Sequence, residues 1–199
     1  MTPTIFKYPQ GIIKGVVVRF NKKVCLLGDE GVGKTSLIRR FVFDQFDDVY
    51  QRTIGTKISK KDLMLQGRDG KPVQLFLMIW DIIGHKSSKK VPATYYAGVE
   101  GILVVFDVTR PETFSDLEYW VNSIMADKNY SPVVAMLGNK SDLEDQRKVQ
   151  DEHIMATANK LNAKYFLTSA KTGRNVDEAF NYMGRELVLR HTGPGWSWI

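Results

Sequence analysis

Gly28 to Ser36 read GDEGVGKTS, a G-x-x-x-x-G-K-[ST] spacing suited to holding a polyphosphate. Glycines let successive backbone N–H groups turn inward around an anion, and a helix that starts there adds its positive end. Asp29, Glu30, Gly31, Val32 and Gly33 would form the cradle, with Ser36 closing the stretch. Lys34 would reach the terminal phosphates, and the Thr35 hydroxyl suits Mg2+. The bland alternative is a Gly-rich turn between strand and helix. The apolar run before the motif and the helical pattern after it are the context the motif requires.

Two later stretches say which base would accompany the phosphates. GNKSD follows an apolar run and holds Asn139, Lys140 and Asp142. A carboxylate only accepts hydrogen bonds, and guanine offers N1–H and N2–H2 side by side. Asp142 can accept both, whereas adenine presents an acceptor at N1. Asn139 can address the guanine O6/N7 edge, and the Lys140 stem can lie over the base. TSAK ends the next apolar run, with Ser169, Ala170 and Lys171. The Ala170 N–H could donate to guanine O6.

The elements that must position these residues alternate. KKVCLLGD, GILVVFDV and VVAMLGNK read as buried strands, and KYFLTSAK as a shorter one. TKISKKDLMLQ and PVQLFLMIWD flank GRDGK, a hairpin signal. Leu37, Ile38, Phe41 and Val42 share a helical face, as do Phe114, Leu117, Val121 and Ile124. Residues 151 to 161 are helical in pattern, and Asn175 with Glu178 resembles a capping box before a last helix. Strands alternating with helices imply an α/β fold: a mostly parallel six-stranded sheet, one antiparallel edge strand, and helices on both faces. Ligands bind such sheets at the carboxyl ends of the strands, where each motif falls.

The chain has 199 residues, enough for one domain with a sizeable core. Its one cysteine, Cys25, permits no internal disulfide and fits a reducing, cytoplasmic setting. No apolar run is long enough for a membrane span, and no signal peptide or lipid-anchor motif is evident. A net charge of +6 favours acidic partners or anionic surfaces, without pointing to nucleic acid. GVVVRF, near the start, has strand propensity and could add an edge strand.

These pieces in this order resemble a Ras-superfamily small GTPase, a P-loop GTPase or G domain. The resemblance covers roughly Lys22 to His191, with residues 1–21 as an extension and 192–199 as a tail. TIG at Thr53, FDVT at Phe106 and ATYYAGVEG are most similar to the Rab-like branch. The resemblance implies further roles. Phe46 would pack against guanine, and Tyr50 would close over the phosphates. Thr53 would join Thr35 and Asp81 around Mg2+, and the Gly84 N–H would meet the γ-phosphate. It also implies a GTP/GDP switch with an exchange factor, an activating protein and an effector. Arg52, Lys57, Lys60, Lys61, Lys86, Lys89 and Lys90 could steer an acidic effector or an anionic membrane, giving a cytoplasmic protein with peripheral membrane contact as one option.

This chain departs from the family pattern at two catalytic positions. His85 replaces the usual glutamine, and Glu30 stands where a small residue is usual. Neutral imidazole can donate from one nitrogen and accept at the other, so His85 could orient water. Glu30, facing the γ-phosphate, would oppose its charge. Slow hydrolysis follows as the expectation. The alternatives are a GTPase-shaped scaffold that binds nucleotide without turning it over, and an ATP-using phosphate-loop enzyme, which Asp142 argues against.

Overall fold

The computed structural model describes residues 18–47, 53, 55–82, 93–125 and 131–191. One sheet contains β1 (Val18–Leu27), β2 (Lys57–Gln66), β3 (Pro72–Asp81), β4 (Gly101–Asp107), β5 (Val133–Asn139) and β6 (Lys164–Leu167). The spatial order is β2-β3-β1-β4-β5-β6. Every neighbouring pair is parallel except β2 with β3. The hairpin turn sits where GRDGK predicts it: the Gly67 N–H donates to the Lys71 carbonyl, and Gly70 takes a φ of 75°.

Helices α1 (Lys34–Phe43) and α6 (Val176–His191) cover one face; α4 (Leu117–Met125) and α5 (Asp151–Lys160) cover the other. Two short helices, α2 (Ala93–Tyr96) and α3 (Pro111–Ser115), precede β4 and α4. β4 and β5 are buried along their whole length, which is why they read as continuous apolar runs. β3 alternates instead: Val73, Leu75, Leu77 and Ile79 are fully buried under α1 and α6, while Phe76 and Trp80 face the other way and are half-buried. The α6 side closes tightly: Phe41 and Phe180 stack at 4.2 Å between ring centroids.

Three local expectations differ from what is found. The described part of GVVVRF makes no separate edge strand. Val18, Arg19 and Phe20 lengthen β1, pairing with Val73, Gln74 and Leu75 in the middle of the sheet. β1 therefore crosses the boundary expected at Lys22. The face from Phe114 to Ile124 belongs to two helices, interrupted at Asp116. The first is pinned to β4 because Thr113 Oγ1 accepts from the Asp107 N–H at 3.0 Å. Asn175 is no N-cap. It sits at φ 54°, and its Nδ2 donates to the Leu167 carbonyl at 2.9 Å, fixing the end of β6.

At the middle of β1 and the amino end of β4 a polar latch holds the end of α6. Lys22 Nζ donates to Glu100 Oε2 at 2.7 Å and to His191 Nε2 at 2.9 Å. His191 Nδ1 lies 3.1 Å from the Leu187 carbonyl. With Nε2 accepting from the lysine, Nδ1 carries the proton and donates to that carbonyl.

Replacing Phe180 with alanine removes a fully buried ring and its stacking partner's contact. We expect Phe180→Ala to lower unfolding stability in urea by about 3–5 kcal/mol with an unchanged denaturant slope. A loss under about 1 kcal/mol would mean that the α1–α6 packing closes over the gap.

Candidate functional site

The carboxyl ends of β1, β3, β4, β5 and β6 meet along one edge of the sheet, and the loops leaving them build the site. After β1 the chain turns at Gly28, whose φ is 132° and where a Cβ would lie 2.1 Å from the Val105 carbonyl oxygen. Only glycine fits that approach. Gly33 is equally constrained: φ is 99°, and a Cβ would meet Asn139 Nδ2 at 2.2 Å. α1 begins at the next residue with no side-chain cap and no acidic residue in its first turn. Its first N–H groups therefore remain available to an anion.

Lys34 is 7% exposed beside these groups, and its Nζ donates to the Gly28 and Asp29 carbonyls, each at 2.8 Å. Burial pushes its pKa down to about 8, against the pull of Asp81 and Asp29. A cation held out of water next to an uncapped helix start is a strong anion site.

Three oxygen-bearing side chains converge below the lysine. Thr35 Oγ1 donates to Asp81 Oδ2 at 2.5 Å and lies 2.8 Å from Thr53 Oγ1. Asp81 is 2% exposed, burial raises its pKa, and its Oδ1 has no hydrogen-bond partner among the described residues. Two hydroxyls and a carboxylate with an orphaned oxygen form a hard-oxygen set of the kind Mg2+ prefers.

On the other side of the cradle, one carboxamide joins three loops. Asn139 Nδ2 donates to the Val32 carbonyl at 2.8 Å, and Oδ1 accepts from the Ala170 N–H at 3.2 Å. The sequence assigns both groups to the base edge; here they face each other as a protein brace. Asp142 accepts from Ser169 Oγ at 2.6 Å, and that oxygen in turn accepts from the Thr172 N–H at 3.1 Å. Lys140 adopts φ 65°, and its Nζ reaches Asp107 Oδ2 at 2.6 Å. Ser36 and Gly31 are half-buried in the cradle, Lys171 is exposed, and Phe46 packs on the α1–α6 core cluster.

Asp107, Arg110 and Trp120 belong to the site and were not read as such from the sequence. Fully buried Asp107 accepts from Thr109 N and Oγ1, Lys140 and Arg110. Arg110 Nη2 also donates to the Glu30 carbonyl at 3.0 Å. The Trp120 indole N–H donates to Asp29 Oδ1 at 2.9 Å in a buried bond. An acid closing the apolar run GILVVFD was the available signal for Asp107. Trp120 reads only as a core residue of α4.

Tyr50, Gly84 and His85 lie outside the described residues, as do Arg52, Lys86, Lys89 and Lys90. Glu30 is described and its side chain is exposed. Lys61 corrects the expected basic surface. Its Nζ donates to the Phe41 and Val42 carbonyls at 2.9 and 3.3 Å, closing the end of α1 instead of facing a partner. Lys60 lies over the Phe76 ring at 3.9 Å and 3.5 Å from Asp62 Oδ1.

Comparison with known proteins agrees with this arrangement. A family profile described as the Ras family matches residues 23–189. Ras-related protein Rab-13 of Canis lupus familiaris is 37% identical over 171 residues, covering 86% of this chain and 82% of the relative. The proteins of the same name in Bos taurus and Mesocricetus auratus show the same identity and coverage.

Asp107 gives a pH-dependent test of the brace. Burial alone would raise its pKa, but Lys140 and the Thr109 donors outweigh burial and hold it below the usual carboxylate range. A carboxyl with a lowered folded-state pKa stabilises above its unfolded value, near 4, and loses that contribution as pH falls through the folded value. Asp107→Asn should cost about 2 kcal/mol at neutral pH. The gap to wild type in urea midpoint should narrow below about pH 4. A gap constant from neutral to acidic pH would show that the charge of Asp107 does not tie the loops.

Proposed function

This chain belongs to the Ras family of small GTPases, and from that premise we propose how its own residues bind, switch and hydrolyse. It is a guanine-nucleotide-binding switch that hydrolyses GTP to GDP. The phosphates occupy the cradle Asp29–Ser36, with Lys34 charged against them and the first N–H groups of α1 pointing at them. Asp142 accepts from N1–H and N2–H2 of guanine, and Ser169 holds that carboxylate. Ala170 and Lys171 line the six-position side, Lys140 and Phe46 flank the base, and Asn139 joins base loop to phosphate loop.

The observation that carries this reading is the convergence of Thr35, Thr53 and Asp81 beneath a buried lysine and an uncapped helix. We assign these three side chains to Mg2+, with Asp81 acting through water. When bound, the ion neutralises charge on the outer phosphates. Thr53 and Gly84 would then sense the γ-phosphate, Tyr50 would close over it, and its loss would release both segments. Exchange factor, activating protein and effector would act on those segments. Exposed Lys57 and Lys60 would give an acidic partner or an anionic membrane an electrostatic handle. Among the described residues no helix is long and apolar enough to cross a membrane. A cytoplasmic protein with peripheral contact through that face fits the charge.

Intrinsic hydrolysis is proposed to be slow. The Glu30 carboxylate, beside the γ-phosphate, would repel it by about 1–4 kcal/mol at about 4 Å, depending on screening. His85, as neutral imidazole, would orient the attacking water in place of a glutamine amide.

Mass spectrometry of the purified protein should find guanine nucleotide, and Asp142→Ala should bind GDP about a hundredfold more weakly or worse. Unchanged GDP affinity in that variant rejects the base assignment. In single-turnover phosphate release, Glu30→Gly should be faster than wild type and His85→Ala slower, with the rate varying across the histidine titration range. If both variants match wild type at every pH, neither side chain faces the γ-phosphate.

A further inference from the structure

Arg40 stands in the last turn of α1 and reaches the loop after β6, 130 residues away. Its Nε donates to the Ala170 carbonyl at 2.9 Å, and its Nη2 donates to the Lys171 carbonyl at 2.8 Å. The remaining nitrogen, Nη1, donates to Asp44 Oδ1 at 2.9 Å. The arginine side chain is 21% exposed, whereas Asp44 is 91% exposed, so the carboxylate pair is a solvated surface contact. The paired carbonyl bonds are the inner contact. A planar guanidinium presents donors in a fixed fork, which here matches two successive carbonyls.

That loop carries the groups assigned above to the base. Between Leu167 and Val176 it has neither helix nor strand. It closes on itself through Ser169 N to Arg174 O and Gly173 N to Ser169 O. Ala170 lies at its turning point, with its N–H aimed at Asn139 Oδ1 and its carbonyl held from the opposite side by Arg40. The two carbonyls belong to successive peptides, Ala170–Lys171 and Lys171–Thr172, so the guanidinium holds both peptide planes, one bond to each. Ser169, one residue earlier, holds Asp142 by a separate bond. The two base-facing groups therefore have different supports: Ala170 leans on Arg40, and Asp142 leans on Ser169.

We propose that Arg40 is a positioning residue for base recognition: by fixing the Ala170 and Lys171 carbonyls from α1, it holds the turn so that the Ala170 N–H, which donates to Asn139 Oδ1 here, is shared with the six-position oxygen of a bound base. This rests on the guanine reading of the site. It separates the two halves of base selection, because the loss of Arg40 should blur the six-position and spare the two-amino group. Lysine at this position supplies a point charge on a flexible stem, not a fork, and should restore the aim only in part.

The test uses the full chain and competition binding of GDP, 6-thio-GDP and IDP, with thermal melts to show that each variant is folded. 6-Thio-GDP replaces the six-position oxygen with sulfur, a weaker acceptor, and IDP lacks the two-amino group. Wild type should bind both analogues more weakly than GDP. In Arg40→Ala the penalty for 6-thio-GDP should shrink at least fivefold while the penalty for IDP stays within twofold of wild type. Arg40→Lys should fall between, and Asp44→Ala should match wild type, since it removes only the surface pair. An unchanged 6-thio-GDP penalty in Arg40→Ala overturns the proposal, as does an equal loss of both penalties, which would be general loosening. Should Arg40→Ala not fold, an unchanged 6-thio-GDP penalty in Arg40→Lys overturns it instead. A wild-type protein that binds IDP as tightly as GDP refutes the guanine reading itself, before any variant is compared.

Discussion

The carboxamide of Asn139 bonds to two loops whose attachment points, Val32 and Ala170, lie 138 positions apart in the chain (170 − 32). Neither loop has regular structure of its own, although Val32 and Ala170 are buried in the core. A buried amide with both ends satisfied does what packing cannot: it fixes distance and direction together. Gly33 takes a φ of 99° that favours glycine, and a Cβ there would press on that amide at 2.2 Å. Lys140 follows Asn139 directly, and its ammonium goes to Asp107 at the end of the neighbouring strand. Phosphate loop, base loop and β4 are thus tied through two consecutive residues at the end of β5.

Charge buried around this brace makes the site depend on its ligand. Lys34 and Asp81 are each nearly out of water, and burial pushes each toward its neutral form. Such groups cost free energy until a partner of the right charge arrives. On the proposed assignment, polyphosphate would satisfy the lysine and a divalent cation the carboxylate, so the two ligands would relieve opposite halves of one electrostatic tension. Asp107 is the contrast: equally buried, it is already answered by Lys140, Arg110 and Thr109, and it serves as permanent structure.

What the sequence discloses divides along a physical line. Strands buried on both faces, the hairpin at Gly70 and the helix starting at Lys34 are local patterns, and each was legible. The placing of Lys34, Thr35, Asp81 and Asp142 at the carboxyl ends of the strands was legible too, because each closes or follows an apolar run within a short stretch. The ties between stretches were not. Nothing near Asn139 says that its amide meets Val32, and nothing near Trp120 says that its indole meets Asp29. Lys61 misled for the same reason: its alternation along β2 shows it leaving one face, but not that the end of α1 waits there. The β1 extension misled through propensity, since strand-forming residues do not say which strand they will join.

The latch of Lys22, Glu100 and His191 lies away from the cradle, and with Phe20 beside the His191 ring it brings the first half of β1 and the end of α6 together. A load applied through Val18 and His191 would therefore enter the molecule at a single pole. It would meet the latch on the α6 side and the pairing of Val18–Asn21 with β3 on the other, before anything at the carboxyl ends of the strands. The far pole would feel the load last. A domain tethered at both ends in this way is mechanically soft at its mooring and quiet at its working edge, so tension on the tether would be a poor means of forcing the nucleotide out.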